Sequence, residues 1–389
     1  MSQRWRSLLA LTFARAAMGF QFQSVAAASP FIDQGLGIDK AQLGGLIGLY
    51  FLPGIVFALP GGLLGARFGD KRLVLVGLAL MSAGGLWLAF AGSPVEASVA
   101  RIVGGVGAVM LNVLVTKMVA DWFDGKERLQ AMSILVNAWP IGIGIALLVV
   151  GPLSQRAGWP WGIVSSAVFA VLGGIAMLAV YRNPPRVAPA AAAGVGLAAI
   201  SRREWQLLGI ASLPWLLYNA AFQVVISFLP SFFAERGLAI ASAGSLVALD
   251  VVMFVVGVQA GGLVLKRARR PDFICVTAIV AWCATLLLIA ARLDPLPWIV
   301  VGGLLGGLPA AAFVSLPSEF LRPASRGAGM GVFYTVYYLG CAILPSVAGK
   351  LYDLYGGHAP LWAAAAMAFA SVPALRVYRR MLAASAPAG

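Results

Sequence analysis

The sequence predicts an all-α polytopic membrane protein whose twelve transmembrane helices fall into two six-helix pseudo-repeats. Three observations carry the prediction. Hydrophobic residues make up 61% of the 389 residues and charged residues only 11%, with a mean hydropathy of +0.90, whereas soluble domains carry roughly 25% charged residues. Apolar runs of about 20 residues, each able to cross the hydrocarbon core, recur along the whole chain without strand-like alternation. The pattern also restarts halfway: at an offset of 200, Phe22-Gln23 falls on Phe222-Gln223, Pro30 on Pro230 and Gly61-Gly62 on Gly261-Gly262. At an offset of 198, Gly104-Gly105 falls on Gly302-Gly303, Asp121 on Glu319, Arg128 on Arg326, Gly142 on Gly340 and Gly151 on Gly349.

The N-terminus imitates a signal peptide, with Arg4 and Arg6 before an apolar run that ends in Ala26-Ala27-Ala28-Ser29. Arg15 interrupts that run and the segment has a partner later in the chain, so residues 7–29 read as an uncleaved helix 1. An outer loop around Asp33 and Asp39 leads to helix 2 (41–64), and the glycine-rich basic turn Gly61–Arg72 leads to helix 3 (73–92). Helices 4, 5 and 6 follow at 98–120, 130–152 and 160–181. The Ala/Gly/Pro-rich stretch at 182–204 reads as a linker between bundles at 1–181 and 205–389. Helices 7–12 follow at 205–230, 242–265, 273–291, 298–318, 327–349 and 360–377, with a second basic glycine turn at Gly261–Arg270.

The net charge of +14 does not point to nucleic acid, because most of the 28 Lys and Arg lie in alternate loops and the two tails. That asymmetry predicts a multi-pass protein of the inner (plasma) membrane, embedded in its lipid bilayer with both termini cytoplasmic. Cys275, Cys283 and Cys341 sit in apolar segments and read as packing residues. The single histidine, His358, leaves no histidine cluster for a metal, and no P-loop motif is present, so neither cofactor nor ATPase engine is expected. Parallel six-helix repeats place a substrate at their interface near the midplane and work by rocking of the halves.

The turn from Gly62 to Lys71 resembles the loop 2–3 signature of the major facilitator superfamily, G-x-L-a-D-R-x-G-R-[RK]. Arg101 through Ala108 is similar to the superfamily's helix 4 motif R-x-x-x-G-x-G, and Gly142, Gly144 and Gly151-Pro152 loosely resemble its helix 5 motif. The resemblance spans the whole chain and implies a monomeric transporter of a small molecule rather than an enzyme. Arg67, Asp70 and Arg72 are expected at the inner gate, with Lys117, Asp121, Arg128, Glu319 and Arg326 around the same mouth; Lys117 and Asp121, at i and i+4 near the inner surface, read first as a structural pair. The acid expected before Arg67 is replaced by Ala66, so either Asp70 takes its place in the charge relay or other contacts hold the gate. Arg15 on helix 1 together with Asp121-Trp122-Phe123 looks like the cyanate- and nitroimidazole-permease-like branch. Helices 2 and 8 lack the membrane arginines of nitrate porters, which speaks against nitrate.

An ionisable side chain inside the bilayer is a functional candidate because its burial costs several kcal/mol. Of the 14 acids only Asp250 sits mid-helix, either as a proton-binding switch or as the permanent partner of a helix arginine. Arg15, a little over two turns into helix 1, is the candidate for binding substrate oxyanion, since a guanidinium stays charged and forks onto oxygens. Arg101 near the outer end of helix 4 is expected in substrate or proton handling, or snorkelling to the interface. Gln23 and Gln223 occupy equivalent positions and are expected to face the cavity, with Asn219, Asn112 and Asn137 as further polar candidates. Tyr50, Tyr218, Tyr334, Tyr337 and Tyr338 are aromatic candidates for the pathway. The reading is a secondary active transporter of a small organic or inorganic anion, coupled to protons or to exchange. Proton-antiport efflux of a hydrophobic or cationic compound is the alternative, and a non-transporting receptor a third.

Overall fold

The computed structural model describes residues 2–57, 68–123, 125–184, 197–291, 293–322 and 325–384, without the side chains of residues 126, 128–130, 133 and 326. Most of the glycine turn at 61–72, including Arg67, lies outside these residues, as do the side chains of Arg128 and Arg326.

The first half comprises α1 (Gln3–Ala27), α2 (Lys40–Leu49, continued by Gly54–Phe57), α3 (Asp70–Ala89), α4 (Pro94–Trp122), α5 (Gly125–Ala157) and α6 (Trp159–Ala179). The second comprises α7 (Arg202–Glu235), α8 (Ile240–Arg267), α9 (Pro271–Ala290), α10 (Pro295–Gly307, continued by Ala310–Ser315), α11 (Arg326–Tyr355) and α12 (Ala359–Ala383). Eleven helices among the described residues are long and apolar enough to span a bilayer. The remaining crossing is α1, whose 25 residues include Arg4, Arg6, Arg15, Gln21 and Gln23. The fold is all-α, as the apolar runs predict.

Most helices run several residues past the predicted ends, because sequence hydropathy marks the hydrocarbon core while hydrogen bonding continues into the interface. Two predicted helices are broken. Pro53 interrupts α2 and Pro309 interrupts α10, each lacking the amide that would continue the ladder. The expected loop around Asp33 is instead a short helix, Ser29–Leu36, closed by Gly37 at a φ of 62°. Side chains fix several starts: Asp39 and Gln42 form a capping box on α2, and Ser201 and Glu204 form another on α7.

The two halves meet along two seams related by the repeat. Gly44 of α2 lies against the Pro345 carbonyl of α11, and Gly244 of α8 lies against the Leu147 carbonyl of α5. Any side chain at either glycine would collide with backbone, so the approach requires glycine. Ser29 and Ser231 hydroxyls hydrogen-bond across the halves at 2.7 Å, and Ser346 Oγ donates to Ala41 O at 3.0 Å. These contacts seal the end that carries the turns at 28–39 and 356–358, opposite the linker. The Lys40 ammonium pairs with Asp33 at that end; burial nevertheless pushes the Asp33 carboxyl above its ordinary value.

Further ion pairs lie within each half at the linker face. Arg4 of α1 pairs with Glu127 at the start of α5 at 2.6 Å. At the equivalent position 200 residues on, Glu204 of α7 accepts from Arg322 at 2.8 Å and from Ser325 at 2.5 Å. The polarity of the clamp is inverted between the repeats.

Candidate functional site

The site is built on α1 and α7, the two helices that lie on either side of the pseudo-twofold relationship. Arg15, Gly19 and Gln23 form an i, i+4, i+8 stripe on α1, and Trp215, Asn219 and Gln223 occupy the equivalent positions on α7. The two stripes share an unusual property. Arg15 Nε, Gln23 Oε1, Trp215 Nε1, and both Gln223 amide atoms are buried without a hydrogen-bond partner. Buried polar groups are ordinarily satisfied, and an orphaned one costs about 1–3 kcal/mol. Equivalent positions in both repeats therefore hold unspent hydrogen-bonding capacity.

Arg15 carries the charge of this site. Its Nη1 donates to Thr116 Oγ1 of α4 at 3.4 Å, and the phenols of Tyr334, Tyr338 and Tyr337 on α11 lie within its electrostatic reach from the opposite half. No acid pairs with it among the described residues, so its positive charge is uncompensated. Asn112 Nδ2 donates across the halves to the Tyr338 hydroxyl at 3.1 Å. Thr116 and Lys117, further along α4 toward the linker face, are exposed. The rings of Trp215 and Tyr337 have centroids 6.0 Å apart, and Phe51 of α2 reaches Tyr337 and Tyr338 at 6.3 and 6.0 Å. An aromatic wall thus stands around the unpaired guanidinium.

Gln23 and Gln223 sit toward the sealed end. Gln23 Nε2 donates to Ile226 O at 2.7 Å, so one amide ties α1 to α7 while Gln223, 4% exposed, remains without a partner. Asn137 accepts from Gln259 of α8 at 3.3 Å, another contact between the halves. Asn219 is turned back onto its own helix, donating to Trp215 O at 2.8 Å.

Three expected site residues lie away from this cleft. Arg101 neither snorkels nor faces the cleft: it is 2% exposed inside the first bundle, donating to the Leu46, Gln21 and Phe22 carbonyls at 3.0, 2.9 and 2.6 Å. Its guanidinium lies over the Tyr50 ring at 4.4 Å, and Tyr50 in turn donates to Met18 O and Gln21 Oε1. A fork offering five donors can bind three carbonyls at once, which explains why an arginine is stable there. Tyr218 is likewise internal to the second bundle, its hydroxyl on Gly306 O at 2.6 Å.

Asp250 occupies on α8 the position that Tyr50 occupies on α2. Gly105 packs against Tyr50 and Gly303 against Asp250 in the same way, with the Asp250 Oδ1 3.2 Å from where a Gly303 side chain would begin. Arg101 has no counterpart in the second half, where the repeat places Ile299. The alternative of a permanent pair with a helix arginine is corrected here: Arg15 faces α4 and α11, and Asp250, 5% exposed, has no ion pair or hydrogen bond among the described residues.

At the linker face, Lys117 bridges Asp70 at the start of α3 and Asp121, the latter at 3.4 Å. Arg379 does the same in the second half, between Asp272 at 2.7 Å and Glu319 at 2.5 Å. These acid–base–acid clusters each join helices of one bundle. Arg72 is exposed.

Thr116 and Trp215 were absent from the sequence expectations. Trp215 was findable, because the offset of 200 that pairs Gln23 with Gln223 also pairs Arg15 with Trp215. Nothing in the spacing marks Thr116.

Comparison with known proteins bears on the family and the fold. The chain is 24% identical over 259 residues to the hexuronate transporter of Bacillus subtilis, a match covering 62% of this chain and 61% of that protein. It is 28% identical over 391 residues to the 3-(3-hydroxy-phenyl)propionate transporter of Escherichia coli, covering 94% of this chain and 91% of that protein. The crystal structure of a nucleoside transporter superposes with a TM-score of 0.78 at 16% identity, covering 98% of this chain and all of that one (100%). The family model described as the Major Facilitator Superfamily matches residues 10–300. Matched over that span and built on that fold, the chain belongs to the Major Facilitator Superfamily, a family of transporters rather than enzymes.

Proposed function

We propose that the protein is a secondary active transporter that carries a small carboxylate or related anion across the inner membrane by alternating access. The observation that carries this reading is the Arg15 guanidinium, placed between the halves beside α11 with an orphaned Nε and no acidic partner among the described residues. A guanidinium binds carboxylate through two parallel hydrogen bonds, and an anion would both satisfy the donor and compensate the charge. Hexuronate and 3-(3-hydroxy-phenyl)propionate, named for two relatives, are both carboxylates.

The seal at the turn end and the exposure of Thr116 and Lys117 favour a state open toward the linker. The basic loops on that side support placing it, with both termini, in the cytoplasm. Asp250 is the proton-coupling residue in this reading: a buried carboxylate without a counter-charge is costly, and a proton removes the cost. The linker-face clusters of Asp70, Lys117 and Asp121, and of Glu319 with Arg379, then form the rims of the inner mouth. The protein acts as a monomer, with residues 182–204 joining the two moving bundles.

Thermal-shift titration of the purified protein against small anions tests the proposal, since a ligand of the native state raises apparent stability. Wild type should be stabilised by carboxylates. Arg15→Ala should keep its unliganded melting temperature and lose the shift; undiminished affinity in that variant removes the anion site. The aromatic wall is the one observation that favours efflux of a hydrophobic compound instead, and counterflow in proteoliposomes with anions against drugs separates the two.

A further inference from the structure

We infer that Gln23 of the first half serves as a missing backbone donor of α7, so that the α7 ladder is complete only while the turn end is closed. The inference rests on the rocking of the two halves and is independent of the cargo they carry.

α7 runs unbroken from Arg202 to Glu235 with Pro230 inside it. Each helical carbonyl accepts from the amide four residues on, and proline has no amide hydrogen, so Pro230 leaves the Ile226 carbonyl without its helical partner. Ile226 is buried. A carbonyl freed in this way inside a membrane helix is stable only where a neighbouring helix or side chain provides a donor. Here the donor is Gln23 Nε2, which reaches across from α1 to Ile226 O at 2.7 Å. The root of that donor is fixed to its own half: Arg101 donates to the Gln21 and Phe22 carbonyls at 2.9 and 2.6 Å, tying the α1 backbone beside Gln23 to α4. When the first half tilts, Gln23 tilts with it and leaves α7.

The first half meets the same problem and solves it differently. Pro30 lies 200 residues before Pro230 and deprives the Ala26 carbonyl in the same way. α1, however, ends at Ala27, and the Ala28 amide turns back onto the Ala26 and Ser24 carbonyls. The freed carbonyl is served locally, so Gln223, the counterpart of Gln23, has no carbonyl to serve. Both Gln223 amide atoms are buried without a partner, as is Ser227 Oγ one turn on. Glutamine and proline stand seven residues apart in each repeat, yet only one of the two pairs makes a bridge between the halves.

The sign of the effect follows from water. Opening the turn end hydrates both the Ile226 carbonyl and the Gln23 amide, so opening the wild type exchanges one bond for others. Without the glutamine the carbonyl is unpaired in the closed form and hydrated in the open one, which penalises closure.

Single-molecule fluorescence distances between labels at Gln34→Cys and Ala239→Cys, both exposed at the turn end of opposite halves, measure the ratio of open to closed form. The full-length protein is used in nanodiscs with no ligand added. Gln23→Met keeps the length and removes the donor, and it should raise the open-to-closed ratio roughly tenfold. Pro230→Ala returns the missing amide to α7, and in that background Gln23→Met should change the ratio by less than about twofold. Gln223→Met makes the same chemical change at the equivalent position and should not raise the open fraction. An unchanged ratio in Gln23→Met, or an equal rise in Gln223→Met, overturns the bridge. An equal effect of Gln23→Met with and without Pro230 overturns the role of the proline. If the proline variant does not fold, the contrast between Gln23→Met and Gln223→Met decides alone. A single distance in wild type and every variant removes the rocking of the halves along with the bridge, and none of these outcomes touches the Arg15 anion site.

Discussion

Asp353, near the end of α11, caps the first turn of α2 from the opposite half of the protein. Its Oδ1 accepts from the Lys40 amide and its Oδ2 from the Ala41 amide, each at 2.9 Å. The first amides of a helix lack partners within it and favour negative charge, so a carboxylate there is worth roughly 1 kcal/mol. Because cap and helix belong to different halves, the bond exists only while the turn end is closed. Asp353→Ala should shift the balance toward the form open at that end by about fivefold, and Asp353→Asn by less, since an amide oxygen still accepts. Spin-label distances between the outer turns of the two halves measure the shift; identical distributions in wild type and Asp353→Ala would remove the latch.

Asp250→Asn mimics the protonated carboxyl permanently. If Asp250 couples substrate to protons, the variant should exchange labelled for unlabelled substrate within about twofold of wild type. Its pH-gradient-driven accumulation should fall to the equilibrium level. Parallel exchange and uptake assays in proteoliposomes check this, and full accumulation by the variant would rule the role out.

Arg101→Ala should damage the fold rather than the cargo site. Three carbonyls and the Tyr50 ring lose their cation inside the first bundle, and breaking a buried charged network costs about 3–5 kcal/mol. The unliganded melting temperature should fall sharply, whereas Arg15→Ala leaves it in place. Arg101→Lys keeps the charge without the fork and should lie between.

Asp33 gives the turn end a pH dependence of defined sign. Burial raises its pKa above the ordinary 3.8 despite Lys40, so the folded state binds the proton more tightly than the unfolded one does. Its stabilising contribution is complete below the unfolded value and is lost as pH rises through the raised folded value. Melting temperatures of wild type and Asp33→Asn, taken from about pH 4 to about pH 7, should therefore converge at acid pH and separate in favour of the variant as pH rises.

The repeat made the architecture legible. Glycines at matching positions, such as Gly44 with Gly244 and Gly105 with Gly303, mark the crossings where backbones touch, and a crossing is a property that one helix records by itself. Arg15 and Asp250 stood out as lone charges because the bilayer makes charge rare. The partners of those charges were not legible: whether an arginine meets an acid, three carbonyls or a ring depends on helix rotation, which the apolar pattern leaves open. Asp353 was hidden for the same reason, its amide partners lying 313 and 312 residues away in the chain. The clamp of Arg4 with Glu127 and of Glu204 with Arg322 was concealed by its own inversion, since comparing Arg4 with Glu204 scores as a mismatch although the two do the same work.

The ion pairs of Arg4, Lys117, Arg322 and Arg379 each close within one bundle, whereas the seam between bundles is made of glycine contacts, hydroxyls, amides and one capping carboxylate. Dissolved salt screens exposed charge pairs and hardly touches neutral contacts. Ionic strength therefore acts mainly on the linker-face rim of each half and much less on the glycine and hydroxyl contacts between the halves.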